Sequence, residues 1–105
     1  MEKQFMEHPN FQTENFRLDG IQYLFSFSNG YGASVVRNSL TYGGKQGLYE
    51  LAVIFDSELC YDTEITDDVL GRLTVEDVLN TLDRIKKLDQ RQKLLPFADS
   101  RSRMN

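Results

Sequence analysis

The stretch Ile21-Gln22-Tyr23-Leu24-Phe25-Ser26-Phe27-Ser28-Asn29-Gly30 decides the architecture. Ile21, Tyr23, Phe25 and Phe27 recur at every second residue, so they share one face of a β-strand, with Ser26 and Ser28 on the other. Asn29-Gly30 predicts a tight hairpin turn of type I′, because both residues tolerate positive φ. A second strand follows through Ala33-Ser34-Val35-Val36-Arg37. A glycine-dense turn, Thr41-Tyr42-Gly43-Gly44-Lys45-Gln46-Gly47, leads into a third strand from Leu48 to Phe55. That third strand is the most continuously apolar segment, as expected of a central strand covered on at least one face. Connections this short force antiparallel pairing, since a parallel crossover needs a dozen or so residues.

Outward from this nucleus the signals weaken. Upstream, Asn15-Phe16-Arg17-Leu18 before Asp19-Gly20 allows one more edge strand. Downstream, Asp56-Ser57-Glu58 reads as a turn and Leu59-Cys60-Tyr61-Asp62 as a short fourth strand. Thr66 can cap a short helix that runs to Gly71, with Asp67 and Asp68 at the positive end of its dipole. The helical pattern restarts at Thr74, again a cap. Val75, Val78, Leu79, Leu82, Ile85 and Leu88 then form one apolar stripe, expected to run until Pro96 stops it. Each of these aliphatic side chains contributes roughly 1.5–3 kcal/mol when buried, enough in sum to dock the helix on the sheet. The expected fold is α+β: an antiparallel β-meander of three to five strands with a C-terminal helix packed on one face. Residues 1–105 make a single domain, with 1–15 and 97–105 loosely ordered.

At 105 residues there is material for one core and no more. No apolar run approaches the roughly 20 residues that span a bilayer. The N-terminal segment lacks the apolar centre of a signal peptide. A single cysteine, Cys60, excludes an internal disulfide framework. These features together predict a cytoplasmic protein. The net charge of −4 is unevenly spread. Over residues 56–83 nine carboxylates stand against Arg72 alone, whereas residues 84–105 carry seven cations against Asp89 and Asp99. Such polarity bears on association more than on fold.

Few residues suggest chemistry. His8 is the only histidine and lacks the convergent partners that catalysis or metal binding requires. It reads as a loop residue. Cys60 has no base other than His8 and reads as a small buried hydrophobe in a strand. Asp62, Glu64, Asp67 and Asp68 do not follow the alternation of a calcium loop, and helix capping already accounts for two of them. Gly43-Gly44-Lys45-Gln46-Gly47 lacks the residue order of a phosphate loop and lies between two antiparallel strands, so it reads as a turn. No enzyme activity, metal or cofactor is expected.

Two binding readings remain. Tyr31, Tyr42, Tyr49 and Tyr61 could present rings to a protein partner or cover core edges. The basic segment from Arg84 to Arg103, through Arg84, Lys87, Arg91 and Lys93, could contact nucleic-acid phosphates or form a solvated helix face.

Asn29-Gly30-Tyr31-Gly32-Ala33-Ser34-Val35-Val36, Gly47-Leu48-Tyr49-Glu50-Leu51-Ala52-Val53, Leu59-Cys60-Tyr61-Asp62-Thr63 and Ile65-Thr66-Asp67-Asp68-Val69-Leu70-Gly71 resemble a set of small uncharacterised bacteriophage proteins. The similarity extends over about two-thirds of the chain. The resemblance implies a phage protein that inhibits a host defence or replication component by stoichiometric binding in the infected cell's cytoplasm, an anti-CRISPR protein being its sharpest form. On that expectation Tyr31, Tyr42, Tyr61, Asp62, Glu64, Asp67 and Asp68 contact a nucleic-acid-handling host protein, the carboxylates standing in for phosphates. The alternative is a phage accessory protein that binds nucleic acid through its basic helix and tail.

Overall fold

The computed structural model describes residues 2–17, 19–41, 43–56, 58–60, 63, 65 and 69–89. A short helix α1 (Lys3–Met6) precedes strands β1 (Phe11–Arg17), β2 (Gly20–Ser26), β3 (Tyr31–Arg37) and β4 (Tyr49–Phe55). Two short strands, β5 (Glu58–Leu59) and β6 (Leu70–Leu73), and helix α2 (Val75–Lys86) complete it. All pairings are antiparallel. β1 to β5 follow in sequence order, and β6 also pairs with β4. β5 lies against Ile54 and Phe55 and β6 against Tyr49 and Leu51, so the two short strands share one edge of β4. The expected meander with its C-terminal helix on one face is the observed fold.

The alternation read from Ile21 to Phe27 sets the core. Ile21, Tyr23, Phe25 and Phe27 are all buried, and they join Ala33, Val35, Leu51 and Val53 from the neighbouring strands. α2 lays Val78, Leu82 and Ile85, each 0% exposed, on β3, β4 and β6. Val75, Leu79 and Leu88 pack at its margins. Thr74 caps the helix as expected: its hydroxyl accepts from the Asp77 N–H at 3.1 Å while the Asp77 carboxylate accepts from the Thr74 N–H.

Several local expectations differ. The segment before residue 15 is a helix and the start of a strand, because Phe5 is fully buried among Tyr23, Phe25 and Tyr49 with edge-on ring contacts. β1 therefore runs over seven residues where four were expected. The β2–β3 turn is not type I′. Gly30 N–H donates to the Phe27 carbonyl and Gly30 alone takes positive φ, 92°, so Ser28 and Asn29 are the central residues and Gly30 forms the bulge. Leu70 and Gly71 belong to β6 and do not end a helix, since β4 still has an open edge there and pairs with them. Thr66, Asp67 and Asp68, expected in that helix, lie outside the described residues. Arg72 adopts φ 55° where β6 carries one residue more than β4 between paired positions, as a bulge requires. α2 ends at Lys86, ten residues before Pro96, because Asn29 takes up its last carbonyls. β5 starts at Glu58, which was expected in the turn, and among the described residues ends at Leu59, although the Cys60 N–H still donates to the Val53 carbonyl; Tyr61 and Asp62, expected in the same strand, lie outside the described residues.

Candidate binding surface

Both described helices cover one face of the sheet, and neither packs on the other. The opposite face carries the residues that alternate with the core: Asn15 on β1, Gln22 and Leu24 on β2, Gly32 and Ser34 on β3, Ala52 and Ile54 on β4, of which Gly32, Ser34 and Ala52 are buried and the others half-buried. They form a polar ladder across three strands. Asn15 Nδ2 donates to Gln22 Oε1 at 3.2 Å, and Gln22 Nε2 donates diagonally to Ser34 Oγ at 2.9 Å. Towards the β2–β3 turn this face dips into a groove of about 550 Å³ lined by Gln12, Asn15, Gln22, Leu24, Phe25, Ser26, Gly30, Tyr31, Gly32, Ile54 and Asp56. Gly32 lets β3 approach β2 closely, since a Cβ there would sit 2.6 Å from the Phe25 carbonyl oxygen. Leu59, paired with Ile54 on β5, is 55% exposed at the rim.

The lining is therefore amides, small residues, two aliphatics, one carboxylate and two largely buried aromatics, Phe25 and Tyr31. Amides and aliphatics of this kind, half-buried here except for the exposed Gln12, pair with protein main chain and side chains. Phosphate-binding surfaces are instead built from cations.

Of the residues singled out from sequence, Tyr31 borders the groove, and most of the others lie outside the described residues. Tyr31 is buried and stacks at a tilt on Phe55 with ring centroids 5.4 Å apart, so it braces the core and offers no free ring. Tyr42, Tyr61, Asp62, Glu64, Asp67 and Asp68 lie outside the described residues, as do Arg91 and Lys93. Arg84 and Lys87 are exposed at the end of α2, and Lys87 is tied to Asp83 at 2.8 Å. His8 is a bracing residue: its Nδ1 accepts from the Asn10 N–H at 3.0 Å and its ring stands edge-on to Phe25. Burial, with the nearby Lys86 ammonium adding to it against Asp83, holds its pKa below the ordinary histidine value. Cys60 is buried in the core. Among the described residues no three His, Cys, Asp or Glu side chains converge as a metal site would require. No described helix is long and apolar enough to cross a membrane.

Sequence reading passed over Gln22, Asn15 and Ser34. The period of two was the signal for Gln22, placing it opposite Tyr23, but the hydrogen-bonded ladder depends on register across three strands. Comparison with known proteins finds no matching family model, no matching curated protein and no matching solved structure.

Proposed function

We propose that this chain is a non-catalytic, stoichiometric inhibitor that acts by covering the surface of a partner protein, with the sheet face that the described helices leave uncovered as its contact surface. The observation that carries this reading is the amide-lined groove with its aliphatic rim, set on a rigid sheet whose other face is fully packed. A rigid, preformed surface loses little entropy on docking. The likeness to small phage proteins narrows the partner to a host defence component of nucleic-acid-handling type, and so to anti-CRISPR-like action in the host cytoplasm. A basic partner surface suits the acidic chain, whose net charge is −4.

The nucleic-acid reading has less to draw on at α2, because Lys87 is paired with Asp83. The test is affinity capture from host lysate followed by reconstitution with the purified partner. We expect a complex of fixed stoichiometry that Leu24→Lys together with Leu59→Lys abolishes while the variant stays folded. A gel shift of nucleic acid by the purified protein at low salt, lost when Arg84, Lys87, Arg91 and Lys93 are neutralised, would defeat the proposal.

A further inference from the structure

At the sheet end remote from Asn29, the turn before β2 and the connection from β3 to β4 enclose a second cleft, about 400 Å³, bordered by Gly20, Arg37, Ser39, Gly44, Lys45 and Gly47. It shares no residue with the groove on the uncovered face. Its floor is bare backbone: a Cβ on Gly20 would overlap the Arg37 carbonyl, and one on Gly44 the Asn38 carbonyl.

The walls are braced. Asp19 Oδ1 accepts from the Ser39 N–H at 3.1 Å, Asn38 Oδ1 from the Leu40 and Thr41 N–H groups at 2.8 and 3.1 Å, and Thr41 Oγ1 from the Asn38 N–H at 3.1 Å. The Arg37 guanidinium is held over the Tyr49 ring, its Cζ 5.3 Å from the centroid. Neither Arg37 nor Lys45 has an ion-pair partner within 4.0 Å among the described residues. Asp19 contributes the one negative charge of the lining, so the cleft keeps a net positive charge.

We propose that this cleft binds the phosphate group of a small phosphate monoester, with Arg37 and Lys45 as its cationic contacts. A planar guanidinium fixed by stacking presents its N–H fork in one orientation, and an ammonium on the glycine turn adds a movable point charge. The size lies in the range of small-molecule sites. A polyanion would meet the acidic remainder of the chain, whereas a single phosphate meets only the cleft. The inference is independent of the protein-binding proposal.

The test is an ¹H–¹⁵N titration of the whole chain at low ionic strength with inorganic phosphate, with a nucleoside monophosphate and with a single-stranded oligonucleotide. Saturable shifts with the first two are expected at Asp19, Ser39, Lys45 and Gly47. Lys45→Ala, an exposed change, should weaken binding about fivefold, and Arg37→Gln about tenfold, as the loss of one charge-assisted contact each. Asp19→Asn keeps an acceptor for the Ser39 N–H but removes the opposing charge, so it should tighten binding about twofold. Non-saturating shifts spread over Lys3, Arg84 and Lys86 would overturn the site. So would saturation by the oligonucleotide alone, or affinities unmoved by both Lys45→Ala and Asp19→Asn.

Discussion

The side-chain amide of Asn29, in the β2–β3 turn, donates to the main-chain carbonyl of Ile85 at 2.8 Å. The same nitrogen lies 3.3 Å from the Lys86 carbonyl oxygen and 3.1 Å from that of Leu88, and Asn29 Oδ1 accepts from the Tyr31 N–H at 3.0 Å. One buried side chain thus closes the hairpin and satisfies carbonyls that the end of α2 leaves without helical partners. It joins the β2–β3 hairpin to the last described helix.

Asn29→Ala should therefore cost about 1–3 kcal/mol of unfolding free energy, because buried carbonyls lose their donor. Asn29→Asp should be no better, since a carboxylate facing the negative end of the helix dipole is repelled. Urea denaturation measures both. Stability within about 0.5 kcal/mol of wild type, the usual range for surface changes, would refute the capping role.

Two phenylalanines in the N-terminal segment should behave oppositely. Phe5 is 0% exposed, and Phe5→Ala should cost about 3–5 kcal/mol through the cavity it leaves. Phe16 pairs with Ile21 yet is 70% exposed at the edge of the sheet, and Phe16→Ala should stay within about 0.5 kcal/mol. Equal effects in thermal or chemical denaturation would show that the N-terminal helix is not part of the core.

Stability should fall on mild acidification. His8 has a folded pKa below its unfolded value of 6.5, so the folded state favours the neutral ring. Its contribution is complete above 6.5 and is lost as pH drops through the lower, folded value. Protonation also removes the Nδ1 acceptor used by the Asn10 N–H. The carboxylates of Asp19, hydrogen-bonded to Ser39, and Asp83, bonded to Lys87, are held below 3.8 and act only in a more acidic range. His8→Ala should thus flatten the stability profile just below pH 6.5, and an unchanged slope would exclude His8 as its source. The same variant, and Cys60→Ser, should leave partner inhibition within about threefold, as expected of residues that do no chemistry.

Electrostatics should separate the binding modes. If the acidic segment meets a basic partner, Asp62→Lys or Asp68→Lys weakens capture and makes its salt dependence shallower. Removing residues 99–105 should change little. Surface plasmon resonance over a salt series reads both, and the reverse order of effects would favour a nucleic-acid ligand.

Much of the fold was legible because its signals are local. The alternation at Ile21, Tyr23, Phe25 and Phe27, the short connections and the Thr74 cap with its apolar stripe each arise from neighbours within a few residues. The binding surface was far less legible. Gln22 and Ser34 become one ladder only when β2 and β3 are in register, and Arg37 and Lys45 share a cleft only because the β3–β4 connection folds back over Gly20. Tyr31, a ring beside a turn, does border the groove, but that it is buried and tilted on Phe55 follows only from the fold.

By itself the sequence determined the strand nucleus, the antiparallel order, the start of α2 and which of its residues face the sheet, since periodicity and capping act along the chain. Tertiary structure alone decided four things: that Phe5 enters the core, that residues 70–73 pair with the open edge of β4, that α2 stops at Lys86, and which sheet face the described helices leave uncovered. Each of these is settled by a partner far away in sequence, whose contact free energy outweighs the local preference.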